Sequence, residues 1–417
     1  MTILLVLINV PIAVSLGLVA IVALVAAQGM ETLPNLPIVM YNGATNFPLL
    51  AIPLFILAGS IMNASGISQR LIAFATSLLG WVRGGLSIVS IGTSMFFAEI
   101  SGSAVADVAA LGSVLIPAMK ERGYSKEFAA AVMSSAATLA VPPSIPMVLY
   151  AVMAETSVVQ MFVSGIVPGV LGGLGLMGMA YWFARRYNFP VEASFQWSIV
   201  KSSFRQAIWA FLMPVIILGS IFGGFVTATE GAAIAVLASL FIGVVVYRTL
   251  DLKILKSSCI EGGIQTAVVM LLVASSALLG VYLTEAQLPQ KLALAISNWT
   301  SNKWVVLAIL NVLFLLLGLF LHSAAAIILV VPIVMPLVKS VGIDPVHFGL
   351  IVTINLGIGQ QTPPVASVLM TACAIAKADM WAVTKVNLHF IAVLVAVLLM
   401  VTYIPITGMG LVEYFYR

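Results

Sequence analysis

Charge is scarce in this sequence: Asp, Glu, Lys and Arg make up 8% of its 417 residues, against 62% hydrophobic ones. Soluble domains carry about 25% charged residues, so a soluble fold is excluded. A mean hydropathy of +1.18 calls instead for a polytopic α-helical membrane protein. Cysteine is nearly absent. Cys259 and Cys373 stand alone in apolar surroundings and read as small core residues rather than as a disulfide or metal pair. His322, His347 and His389 have no metal-ligand spacing. A nucleophile elbow, a His-Glu-x-x-His pattern, a paired Asp motif and a phosphate loop are all missing, so nothing suits a membrane enzyme. The net charge of +4 bears on topology rather than on nucleic acid.

What is present is organised around residues 99–123. The apolar run from Leu86 to Ala98 is too short for a crossing, which takes roughly 20 residues. It stops at Ser101-Gly102-Ser103, and a second short run from Ala104 to Met119 leads to Lys120-Glu121-Arg122. Two half-length helices around a small polar turn read as a re-entrant hairpin; the alternative is one long crossing kinked at the glycine. Non-helical backbone at that depth persists only inside protein or beside a wet cavity. Ser103 is placed to cap the second half-helix, whose free N–H groups suit an anion. Asp107 follows at i+4 on the same helix face, and a carboxylate at membrane depth points to function.

Spans are expected near 3–27, 48–64, 128–154, 158–184, 206–224, 229–248, 262–283, 347–376 and 387–405, with hairpins at 84–120 and 303–339. The first run is too long for a signal peptide and lacks a cleavage site, so it reads as a span. Nine crossings with a cytoplasmic N-terminus put the C-terminus outside. On that topology fourteen of the 18 cations fall inside, leaving Lys291, Lys303, Lys339 and Arg417 outside. Residues 67–81 and 288–299 read as helices lying in the interface. The stretch 185–204 is the longest polar linker, dividing the chain into halves 1–200 and 201–417.

Those halves repeat at an offset near 220 residues. Leu71 answers Leu292, Ser103-Ala104 answers Ser323-Ala324, and Pro142-Pro143 answers Pro363-Pro364. Three cations (Lys120, Arg122, Lys126) follow the first hairpin and only Lys339 follows the second, so the halves insert in opposite senses. Inverted repeats with broken helices at matching positions mark a secondary transporter. Each double proline deprives upstream carbonyls of their helical donors: Thr138 and Leu139 in one half, Gly359 and Gln360 in the other. Ser134, Ser135, Thr138, Ser144, Thr353, Asn355, Gln360, Gln361 and Thr362 stand close by. Symmetric breaks with such neighbours read as Na⁺ sites; the plainer alternative is a pair of mechanical kinks. Glu99 and Glu155 read as interfacial carboxylates and Glu230 as a helix-end group. His322 is either a polar residue beside the second tip or part of a proton relay. A channel would need a charged ring or carbonyl filter from several copies, which a two-fold internal repeat does not supply.

The run Met95-Phe96-Phe97 through Ser101-Gly102-Ser103 to Ile116-Pro117, with Ala140-Val141-Pro142-Pro143-Ser144-Ile145-Pro146 and Gln361-Thr362-Pro363-Pro364, resembles the large membrane subunit of tripartite ATP-independent periplasmic (TRAP) transporters. The resemblance covers essentially the whole chain. It implies an all-α, elevator-type Na⁺ symporter of the ion transporter superfamily in a bacterial inner membrane. It also implies a separate small four-helix membrane subunit and a periplasmic binding protein delivering an organic acid. Carried over, Ser101, Gly102 and Ser103 with Val141 and Pro142 would form one Na⁺ site. Ser323 with Gly359, Gln360, Gln361 and Thr362 would form another, although the second tip lacks the glycine of the first. Substrate would lie against Ser103, Asp107 and Ser323. The family's dicarboxylate members tend to place Gly-Pro-Ala-Thr where this chain has Ala104-Val105-Ala106-Asp107. Asp107 suits a hydroxylated monoacid such as sialic acid, because a carboxylate accepts hydroxyl donors and repels a second negative charge. C4-dicarboxylate import, or a Na⁺/anion symporter or channel without a binding protein, are the alternatives.

Overall fold

The computed structural model describes residues 5, 10–101, 103–189, 191, 195–300 and 302–416; the side chains at 98–102, 292–293 and 297–299 are outside the description. Among the described residues every regular element is a helix. α1 (Ile12–Gln28) and the short α2 (Leu36–Ala44) precede α3 (Ala51–Ala64) and the amphipathic α4 (Ile67–Leu79). α5 (Gly85–Ser101) and α6 (Ala104–Glu121) form the first hairpin. α7 (Lys126–Ala137) and α8 (Ile145–Met153) are the halves of the first broken helix, followed by α9 (Val158–Arg186). α10 (Trp197–Phe222), α11 (Ala228–Phe241) and α12 (Leu252–Glu285) lead into the second half. There α13 (Leu288–Trp299), α14 (Lys303–Phe320) and α15 (Ser323–Ser340) repeat the amphipathic helix and the hairpin. α16 (Pro345–Gln360) and α17 (Ser367–Ala376) are the second broken helix, before α18 (Met380–Tyr403) and α19 (Ile406–Tyr416).

Among the described residues eight helices are long and apolar enough to cross a membrane, including both arms of the second hairpin at 18 residues each. Length alone therefore does not identify that hairpin; packing does. α15 lies along α13, the helix that leads into α14, so the chain has turned back on itself. In the first hairpin α5 and α6 pack directly on each other. Each second arm stops at a C′ glycine in the left-handed region, Gly123 (φ +84°) and Gly342 (φ +71°).

Two boundaries differ from the sequence reading: the linker 185–204 ends early, because α10 starts at Trp197, and α12 runs ten residues upstream of the expected span. In α10 and α12 the added turns carry Lys201, Arg205, Lys253 and Lys256, whose long stems let a helix continue past the apolar window. Glu230 does serve its helix end, in a reciprocal capping box with Thr227.

Packing divides the helices differently from the sequence halves. α1, α2, α3, α11 and α12 pack on one another, and α10 joins them through α4 and α11. The hairpins, the broken helices, α9 and α18 form a second group. Each half contributes to both.

Candidate functional site

The first helix break spans residues 139–144. Its Ala140–Val141 backbone is laid against α9, where a Cβ on Gly165 or Gly169 would sit 3.3 Å from the Ala140 carbonyl oxygen. Val141, Pro142 and Pro143 are buried there. The second break, 361–366, is more open, with Pro364 and Val365 exposed. Both double prolines are joined by cis peptide bonds. α16 approaches the first break closely: a Cβ on Gly357 would lie 2.6 Å from the Thr138 carbonyl oxygen.

One small cleft collects the helix ends. It is lined by Ala104 and Asp107 at the start of α6, His322 and Ser323 at the start of α15, and Ser144 and Pro146 at the start of α8. Thr138 at the end of α7 and Gly357 and Gln360 at the end of α16 also line it. Helix N-termini carry about half a positive charge and C-termini about half a negative one. The cleft therefore offers N–H dipoles to an anion and carbonyl dipoles to a cation within one space. Ser103 caps α6 by accepting from the Ala106 amide at 3.4 Å, and Asp107 is 1% exposed.

A wider cleft of about 730 Å³ opens on the other side of the first tip. Ser103, Val105 and Ala106 form one wall, Ser60 and Asn63 of α3 another, and Ser257, Glu261 and Gln265 of α12 the third. It separates the hairpin group from the α1–α3 and α10–α12 group.

The expected substrate residues are thus partly brought together. Asp107 and Ser323 share the small cleft, while Ser103 lines the wide one. Among the expected Na⁺ residues, Gly102 lies outside the described residues and Ser101 is described only as the last backbone position of α5. Val141 and Pro142 sit at the first break and Gly359 to Thr362 at the second. The carbonyl of Gly359, expected to be freed, accepts the Thr362 amide at 3.0 Å, and Thr362 Oγ1 donates to the Ile358 carbonyl at 2.8 Å. Gln360 Nε2 donates to Ser323 Oγ, which ties the second break to the second tip. Its Oε1 is buried with no hydrogen-bond partner among the described residues. A buried unpaired amide oxygen costs roughly 1–3 kcal/mol, and a hard oxygen donor beside unwound backbone is what a Na⁺ ion takes.

The side chain of Gln361 is already spoken for. It is fully buried; its Nε2 donates to Thr138 Oγ1 at 2.9 Å, and its Oε1 accepts from Ser135 Oγ at 2.6 Å and from Asn387 Nδ2 at 3.2 Å. Its backbone oxygen, which accepts from Asn387 Nδ2 at 3.3 Å, keeps a second lone pair for a cation. A second buried chain runs from Asn355 Nδ2 to Asn311 Oδ1 at 2.6 Å and from Asn311 Nδ2 to Thr402 Oγ1 at 3.2 Å. Asn387, Asn311 and Thr402 escaped the sequence reading. Their one signal is an amide or hydroxyl inside an otherwise apolar span.

Arrangement and fold define the class first: an all-helical membrane transporter built from a repeated hairpin and broken helix. The fold is similar to the solved YdaH transporter of Alcanivorax borkumensis, at a TM-score of 0.65 and 17% identity over 92% of this chain and 90% of that one. The profile of the tripartite ATP-independent periplasmic transporter DctM component matches residues 1–407, and the chain belongs to that family. It is 42% identical to the isethionate TRAP transporter permease DctMQ of Oleidesulfovibrio alaskensis, over 95% of this chain and 63% of that protein's length. It is 37% identical to the C4-dicarboxylate large permease DctM of Vibrio cholerae (95% and 93% covered) and 38% identical to the sialic acid large permease SiaM of the same species (88% and 86%).

Proposed function

We propose that this chain is the permease subunit of a Na⁺-driven organic-acid importer. It works with a small membrane subunit and receives substrate from a periplasmic binding protein. The observation that carries this reading is the single cleft where three helix N-termini and two helix C-termini meet. An anion and a cation bound there neutralise each other's charge, so each raises the affinity for the other. Na⁺ would be held by the carbonyls of the two breaks with Gln360 Oε1 and the tips at Ser103 and Ser323. The hairpin group would travel against the α1–α3 and α10–α12 group, with the wide cleft as the substrate's path. A cytoplasmic N-terminus and a periplasmic C-terminus follow from the cation distribution.

The substrate class we favour is a hydroxylated monoanion, with sialic acid or a related sugar acid first. The buried Asp107 accepts hydroxyl donors and repels a second anionic group. The 42% identical isethionate relative is named for another hydroxylated monoanion, which accords with this choice. C4-dicarboxylates are the second reading, favoured by the name of the 37% identical Vibrio permease.

Proteoliposomes containing the permease, its small subunit and the binding protein should accumulate the acid under an inward Na⁺ gradient without ATP. Equal uptake with K⁺ or H⁺ alone would refute Na⁺ coupling. Uptake of succinate but not of sialic acid or isethionate would overturn the substrate class.

A further inference from the structure

The two breaks are not separate structures. α7 ends at the C-cap Thr138 (φ −97°, ψ 5°) and α16 at the C-cap Gln361 (φ −106°, ψ 6°), and these two cap residues hydrogen-bond to each other across the halves. Ser135, one turn back on α7, reaches both Gln361 Oε1 at 2.6 Å and Asn387 Oδ1 at 2.8 Å. Asn387, buried on α18, closes the ring by donating to the Gln361 carbonyl at 3.3 Å and to its Oε1 at 3.2 Å. Ser135 and Thr138 come from α7 and its cap in the first half, Gln361 and Asn387 from two elements of the second, and all four are buried.

Ser135 has one hydroxyl proton and two acceptors within reach, so the ring has two discrete hydrogen-bonding states. Which state prevails depends on where Gln361 and Asn387 sit, and therefore on the geometry of both caps. An element with two arrangements that two sites both bias is what coupling requires.

We propose that Gln361 and Asn387, with Ser135 and Thr138, are positioning residues that couple the two breaks, so that Na⁺ bound in one half favours Na⁺ binding in the other. This rests on the Na⁺ reading above. Gln361 then acts through its buried side chain as a bridge as well as through its backbone oxygen. A ring that only satisfies buried polar groups would contribute to stability and leave ion binding non-cooperative.

The test is Na⁺-dependent thermal stabilisation of the purified full-length permease, titrated with NaCl against KCl at constant ionic strength. The intact protein should respond sigmoidally, with a Hill coefficient approaching about 2 for two coupled sites. Thr138→Val, which keeps the shape and removes the hydroxyl, and Asn387→Ala should each lower it to about 1. Loss of coupling should also raise the Na⁺ midpoint roughly 5-fold or more. Thr138→Ser, which restores the hydroxyl, should recover the steep response. The Thr138→Val/Asn387→Ala double variant should be no shallower than either single one if both act through one ring. Variants that melt earlier in KCl but keep the Hill coefficient of the intact protein would overturn the coupling. An intact protein that NaCl and KCl stabilise equally would overturn the Na⁺ reading itself.

Discussion

The first helix break is sealed against α9 and contributes mainly backbone, whereas the second opens at Pro364 and Val365 and brings two adjacent amides with it. Residue for residue, Gln360 falls where the first half has Leu139, and Ser323 has its own amide partner where Ser103 caps a helix. The repeated scaffold thus presents the same breaks with different chemistry. One half offers dipoles and a carboxylate, the other dipoles and an unpaired amide oxygen. On this view the first half sets the choice of anion through Asp107, and the second half sets the cation requirement through Gln360.

The sharpest way to break that division is Asp107→Ala. It removes one charge-assisted contact, worth about 1.5–3 kcal/mol, and should weaken apparent substrate affinity roughly 10- to 100-fold while leaving the Na⁺ midpoint measured without substrate unchanged. Asp107→Asn keeps an acceptor and should lose less. Substrate titration at fixed Na⁺, repeated at several Na⁺ concentrations, separates the two effects. A lost Na⁺ response at saturating substrate would make Asp107 a cation ligand and dissolve the division.

Packing should show the same asymmetry. A Cβ on Gly359 would lie 2.5 Å from Gly318 Cα, backbone against backbone, while one on Gly165 meets first the flexible Met147 Cε at 2.7 Å. Gly359→Ala should therefore destabilise by about 1–3 kcal/mol or more, as overpacking does, and Gly165→Ala by less. Melting temperatures of the two variants in detergent decide this. Equal losses would remove the difference in rigidity.

A smaller effect is expected at Gln360. Gln360→Leu, which gives the second half the residue found in the first, should raise the Na⁺ midpoint about 3- to 10-fold. That is the scale of one net hydrogen bond, roughly 0.5–1.5 kcal/mol. Leu139→Ala should leave the midpoint unchanged. If the two variants shift it equally, the cation requirement is not the second half's.

Much of this was legible in the sequence. The double prolines at 142–143 and 363–364, the serines at 103 and 323, and a lone carboxylate at 107 break local rules of a membrane helix, and each marks a real feature. What the sequence could not reveal was pairing across the halves. Gln361 looks like a cation ligand from its position after a helix, and only the fold shows its side chain held by Ser135, Thr138 and Asn387. Asn387 sits in a mostly apolar helix of 24 residues, where periodicity does not say which neighbour it meets. The helix starts at Trp197 and Leu252 were hidden for a related reason, since cationic turns beyond the apolar window look like linker.

An anion and a cation that share one cleft must be linked in binding, and linkage can be measured directly. N-acetylneuraminate binding to the purified permease should be measured by calorimetry across a Na⁺ titration at constant ionic strength, and Na⁺ binding across an N-acetylneuraminate titration. Each should tighten the other by the same factor, within the roughly 5- to 150-fold range of coupled sites, and K⁺ should have no such effect. N-acetylneuraminate affinity that is identical in Na⁺ and K⁺ would contradict it.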